Sequence, residues 1–249
     1  MTKKMIMVWI GIAAAVIVLA AGCSMVERKL LFFPSHGTND NGFAHWLKNG
    51  ELIGYARIVQ SPKSVWLMLH GNGGQASDRN YAMHCFSAED SVFVLEYPGY
   101  GNRNGTPSKA SFNAAAKTGY QLLRETYPTT PVCVVSESIG SGPAASLAEL
   151  NPPPDKLVLI VPFDKLSLVA KEHVPAFLVS LFLRSNWDNA AALAKFKGPV
   201  EIFGAKEDSI IPVDHAKKLA AAVPSSKFIL IEGGHNEWSQ GDRVRIRNP

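Results

Sequence analysis

The chain has 249 residues, 47% of them hydrophobic and 18% charged, with 20 Gly and 16 Pro, a globular composition long enough for one large core. Disorder, collagen and coiled coil are excluded by that apolar content and by the lack of sustained heptads. The formal net charge of +4 includes Lys3 and Lys4, and the rest of the chain sets 23 basic against 21 acidic residues, with no basic tract of the kind that binds nucleic acid.

In chain order, Lys3 and Lys4 precede an uncharged apolar run, Met5 to Leu19, and then Ala20-Ala21-Gly22-Cys23. A charged n-region, an apolar h-region and a small-residue cleavage zone describe a secretory signal, expected here over residues 1–22. The last four residues resemble the bacterial lipobox, with Ala20 where Leu is usual. That resemblance implies cleavage before Cys23, lipidation of its thiol and, with Ser24 following, sorting to the outer membrane. The alternative is an uncleaved signal anchor at the inner membrane, because uncharged residues run on from Met5 to Val26, long enough to span a bilayer. Either way the body is expected in the cell envelope, tethered to a membrane. Cys85 and Cys133 are then expected as free core thiols.

Residues 23–51 read as tether and lead-in, and 52–249 as a single α/β domain. Strands are expected at Leu52–Val59, Ser64–Leu69, Ser91–Glu96, Val132–Val135, Lys156–Val161, Val200–Phe203 and Lys227–Ile231. Helices are expected at Ala76–Phe86, at Ser108–Thr126 with Ser108 as N-cap, at Ile139–Leu150 and at Val213–Val223. Short β-branched runs alternating with helices mean a mostly parallel, doubly wound sheet covered on both faces. Residues 162–197 interrupt the alternation and read either as a small helical lid or as an ordinary crossover helix. The Phe177–Phe182 cluster in that stretch is expected to face an acyl chain, the alternative being packing on the sheet.

Ser138 carries the chemical argument. It lies in Ser136-Glu137-Ser138-Ile139-Gly140, between an expected strand and an expected helix, where a sharp turn would expose its hydroxyl. Small residues are needed two places before and after it; Gly140 fills the second, and Ser136 stands where Gly is usual. A serine hydroxyl needs a base that is itself oriented by a carboxylate. Asp208 and His235 both follow expected strands, so all three hang from the same sheet edge, in the order serine, acid, histidine. Asp164, after another strand, is the competing acid. His70-Gly71-Asn72-Gly73-Gly74 follows a strand as well, and the backbone N–H groups of Asn72 and Ile139 are the expected oxyanion donors, with His70 bracing the loop. The other histidines show no metal-ligand spacing, and no metal is expected.

The chain resembles the α/β-hydrolase superfamily from about Lys29 to His235, closest to its depalmitoylase-like and monoglyceride-lipase-like serine hydrolases. The matching stretches are Leu31-Phe32-Phe33-Pro34, His70 to Gly74, Tyr97-Pro98-Gly99-Tyr100-Gly101, Trp187-Asp188-Asn189, Gly204 to Pro212 and Gly234-His235-Asn236. The resemblance implies hydrolysis of acyl esters or thioesters through an acyl-serine, without a cofactor, on a lipid-like substrate such as a palmitate ester. Family members usually close with an amphipathic helix, whereas only 14 residues, Asn236–Pro249, follow His235 here. An exposed apolar patch or a mobile His235 loop is therefore expected. Two other functions remain open: an inactive hydrolase fold with a binding role, and a peptidase in which Glu137 helps to receive a substrate amine.

Overall fold

The computed structural model describes Gly22 and residues 25–249. The expected signal segment and lipidation site, Cys23 included, lie outside the described residues. Among those described, no helix is long and apolar enough to cross a membrane.

The described residues form ten strands: β1 (Phe33–Pro34), β2 (Ala44–Lys48), β3 (Glu51–Arg57), β4 (Val65–Leu69), β5 (Gly73–Gly74), β6 (Ser91–Leu95), β7 (Val132–Glu137), β8 (Leu157–Ile160), β9 (Val200–Ala205) and β10 (Ser226–Ile231). Eight of them make one sheet in the order β10-β9-β8-β7-β4-β6-β3-β2, while β1 and β5 pair separately. From β10 to β6 every pairing is parallel, and β3 and β2 add an antiparallel edge. This is the doubly wound α/β sheet that the strand and helix alternation predicts. The sheet begins earlier than expected, because β2 lies inside the stretch read as lead-in. Its sequence, AHWLK, buries only Trp46. One apolar anchor in an edge strand gives too little periodicity to find from sequence alone.

The two faces of the sheet follow from side-chain alternation. Val65, Leu67, Leu69, Val132, Val134, Leu157 and Leu159 enter one core, and Trp66, Met68, Cys133, Val135, Val158 and Ile160 enter the other. The first face is covered by α1 (Lys109–Thr126), α2 (Ser141–Ser146), α5 (Asn189–Leu193) and α6 (Val213–Ala222). Ser108 caps α1 as expected, its Oγ accepting the Ser111 N–H at 3.1 Å. Two further short helices, α3 (Leu166–His173) and α4 (Ala176–Phe182), occupy the interrupting stretch, so the helical-lid reading holds there.

The second face departs from expectation. The segment Ala76–Cys85 is a 3₁₀ helix, because ASDRNYAMHC carries no apolar stripe and Asp78 hydrogen-bonds back to the Gln75 N–H at 3.1 Å. The C-terminal stretch has no helix, yet it neither leaves this face bare nor floats free. Trp238, Val244 and Ile246 are buried in the second core, the Ile246 N–H donates to the Cys85 carbonyl at 2.8 Å, and Lys156 Nζ donates to the Arg247 carbonyl at 2.9 Å. Irregular chain thus fills the place expected for a closing helix. Cys85 and Cys133 are free and buried, and burial pushes the Cys133 thiol up to about 12.

Candidate active site

Strand β7 ends at Glu137, and the chain turns sharply through a 3₁₀ turn, Ser138–Gly140, into α2. Ser138 sits at the apex with φ of 53°, the left-handed region that costs a non-glycine residue about 1–3 kcal/mol. Packing imposes this turn. A Cβ at Gly140 would overlap the Leu69 carbonyl oxygen at the end of the neighbouring strand β4. Gly140→Ala is therefore expected to push the turn off β4 and to lower stability by about 1–3 kcal/mol, measurable by urea unfolding. Ser136, where Gly is usual, is accommodated with its side chain wholly buried.

Asp208 and His235 come from adjacent loops at the ends of β9 and β10. These loops are stitched together by Lys206 N–H to the Ile231 carbonyl (2.9 Å) and Glu207 N–H to the Gly233 carbonyl (3.0 Å). Asp208 Oδ1 accepts the N–H groups of Ile210 (2.9 Å) and Ile211 (2.8 Å), which fixes the carboxylate and leaves Oδ2 facing His235 Nδ1 at 2.7 Å. A carboxylate so engaged accepts, so Nδ1 carries the proton and Nε2 is left to accept from the Ser138 hydroxyl, 2.9 Å away. The loop after His235 is braced rather than mobile, since Arg243 Nη1 donates to the Glu237 carbonyl at 2.8 Å and to its carboxylate at 3.1 Å.

Ser138, Ile139, Asn72 and His235 all line one cavity of about 890 Å³. The Asn72 side chain is held by the Leu31 carbonyl (2.5 Å) and the Tyr100 hydroxyl (2.9 Å), which locks the loop around its backbone N–H. His70 is buried beneath that loop, its ring against Tyr97 and its Nδ1 2.7 Å from the Gly71 carbonyl, as a bracing residue. Asp164, the competing acid, is engaged elsewhere: Oδ1 lies 2.6 Å from His215 Nδ1, whose other ring nitrogen meets Glu172 of α3 at 3.0 Å. The Phe177–Phe182 cluster corrects the acyl-pocket expectation, for none of it lines the cavity. Leu166, Val169, Ala170 and Val174 do so instead, and Phe177 and Leu181 point outward.

Sequence reading missed one network at the cavity wall. Glu137, beside Ser138, accepts the Gly71 N–H (3.2 Å) and the Tyr81 hydroxyl (3.2 Å) and pairs with Arg79 Nε (3.2 Å). Arg79 Nη2 in turn donates to the carbonyls of Gly71 (3.3 Å) and Gly73 (2.5 Å). Burial pushes the Glu137 carboxyl up, but the Arg79 guanidinium and the Gly71 N–H outweigh it and hold it below the usual range. Its charge is thus committed inside the protein, not offered to a substrate amine. Among the described residues, no group of three or more His, Cys, Asp or Glu is placed to hold a metal ion.

No family model matches the chain. The uncharacterized protein MT2364 of Mycobacterium tuberculosis (strain CDC 1551 / Oshkosh) is 30% identical over 235 residues, 85% of this chain and 81% of that one. Lysophosphatidylserine lipase ABHD12 of Danio rerio is 28% identical over 196 residues, 70% of this chain, and the match spans 51% of that protein's length. In fold, the Pyrococcus furiosus esterase Pf2001 superposes with a TM-score of 0.62 at 15% identity, over 84% of this chain and 92% of that one. The sheet and its structural neighbour define the α/β-hydrolase fold, and the chain belongs to one family with MT2364.

Proposed function

We propose that the protein is a membrane-tethered serine hydrolase of the bacterial envelope, cleaving acyl esters or thioesters through an acyl-serine. The observation that carries this reading is the continuous chain Asp208 Oδ2, His235 Nδ1, His235 Nε2, Ser138 Oγ, with contacts of 2.7 and 2.9 Å at the floor of an apolar cavity. Ser138 Oγ attacks the acyl carbonyl carbon while His235 Nε2 takes its proton. Negative charge gathers on the carbonyl oxygen, facing the backbone N–H groups of Asn72 and Ile139. As the tetrahedral adduct collapses, the leaving alkoxide or thiolate receives the proton from His235 and departs. Water then attacks the acyl-serine, giving its proton to His235, and the carboxylic acid leaves as Ser138 Oγ regains a proton. Asp208 holds the imidazole tautomer throughout and steadies its positive charge.

The substrate reading follows from the cavity. Its volume suits one acyl chain with a small head, and an esterase and a lysophosphatidylserine lipase stand among the proteins it resembles. The apolar run Met5–Leu19 and the lipobox-like Cys23 support tethering, with lipidated Cys23 in the outer membrane favoured over an inner-membrane anchor. The test is a fluorophosphonate probe followed by mass spectrometry. An adduct on Ser138 that is absent from Ser138→Ala is expected. A folded protein that takes no label would instead favour an inactive, binding role.

A further inference from the structure

The cavity opens onto a surface that water alone does not explain. Leu30 is 69% exposed and Phe33 55%, and both line the mouth on one side. Val174 and Ile210 line it on the other, each more than a third exposed. The chain runs from Val174 directly into α4, whose Phe177 is 70% exposed and Leu181 54%. The two sides are tied together, for the buried carboxylate of Glu27, in the helical residues 25–31, accepts the N–H groups of Arg184 (2.7 Å) and Ser185 (2.5 Å) just after α4. Exposed aromatic and aliphatic side chains therefore form one rim around the entrance, larger than the isolated apolar residues of an ordinary surface.

We propose that this rim is a membrane-docking face, seated in an anionic phospholipid surface, so that the acyl substrate enters the cavity from the bilayer without crossing water. This rests on the serine-hydrolase reading for its substrate and on the N-terminal tether for its orientation. Two observations select lipid as the occupant. Lipidated Cys23 lies two residues before Met25, a reach of about 7 Å, and even the alternative anchor ending at Leu19 lies only six residues away, about 20 Å when fully extended. A helix clamped to the lid at that distance brings the cavity mouth close to the membrane. The rim is also edged with cations: Lys29, Lys171 and Arg184 are exposed. The acids nearby are committed, Glu27 to the clamp and Glu172 to His215. Apolar residues edged by Lys and Arg are the pattern of an interfacial segment.

The test places the photoreactive residue p-benzoylphenylalanine at Phe177, or at Glu125 near the far end of α1. The full chain is then reconstituted in vesicles of phosphatidylethanolamine and phosphatidylglycerol. A lipid adduct at Phe177 about tenfold above that at Glu125 is expected. Equal labelling, no adduct, or a chain-to-chain adduct at Phe177 would overturn the proposal, the last by assigning the face to a second copy. This readout needs no turnover, so it stands or falls apart from the chemistry of Ser138. Independently, Phe177→Glu combined with Leu181→Glu is expected to slow hydrolysis of a vesicle-embedded acyl ester about tenfold while leaving a soluble short-chain ester within about twofold. An equal loss on both substrates, or none on either, would count against docking.

Discussion

Replacing His235 with alanine is expected to lower kcat on a soluble acyl ester by about 10⁴- to 10⁶-fold, with the fold intact. Among the described residues, the imidazole is the base in contact with the Ser138 hydroxyl, at 2.9 Å. Asp208→Asn is expected to cost about 10⁴-fold for a different reason. An amide can still accept the N–H groups of Ile210 and Ile211 through its oxygen, but its NH₂ must then face His235 Nδ1. The ring would answer by moving its proton to Nε2, where it blocks acceptance from Ser138. Steady-state kinetics with thermal melts of both variants would check this. A His235→Ala protein within tenfold of the parent rate would remove the triad reading altogether.

Glu137→Ala is expected to be the most destabilising single change near the cavity. It strips the partner from Arg79, whose guanidinium is almost fully enclosed, and an uncompensated buried charge costs about 3–5 kcal/mol. For a chain of this size that corresponds to a fall in Tm of about 10 °C. Removing both charges, with Arg79→Leu added to Glu137→Leu, should return most of that stability, since no charge is left stranded. The double variant should still hydrolyse poorly, because the loop from Gly71 to Gly73 loses the donors and acceptor that hold it. The pair also sets an acid limit. The Glu137 carboxyl titrates below its ordinary range in the folded protein. Its stabilisation is therefore complete above that ordinary range and is lost as pH falls through the lowered folded value. Acid unfolding of Glu137→Gln should start from lower stability and show a weaker pH dependence over that interval.

Most of the sheet was legible because the central strands are short, mostly apolar runs closed by turns. LVLI at Leu157–Ile160 and SVFVL at Ser91–Leu95 have no plausible helical reading at that length. Ser138, Asp208 and His235 were legible for a related reason, since each stands in the loop or turn that follows such a run. What the sequence hid depends on contacts between distant segments. Trp238, Val244 and Ile246 are buried from irregular chain, and the alternation of Val244 and Ile246 with arginines is too short to mark an element. The Glu137–Arg79 pair joins residues 58 apart through a 3₁₀ segment that local pattern cannot distinguish from a helix. The outward turn of Phe177 and Leu181 also runs against the rule that aromatic clusters seek a core. It becomes sensible only once the mouth of the cavity is seen to lie beside them.

The left-handed backbone at Ser138 has a consequence for how such a chain changes over generations. At φ of 53° glycine would sit without strain, so Ser138→Gly is expected to relax the turn and leave the protein more stable than its parent, by about 1 kcal/mol, as it removes the proposed nucleophile. Stability and chemistry are thus opposed at a single codon. A lineage released from the need for the proposed reaction would be drawn off serine by thermodynamics alone.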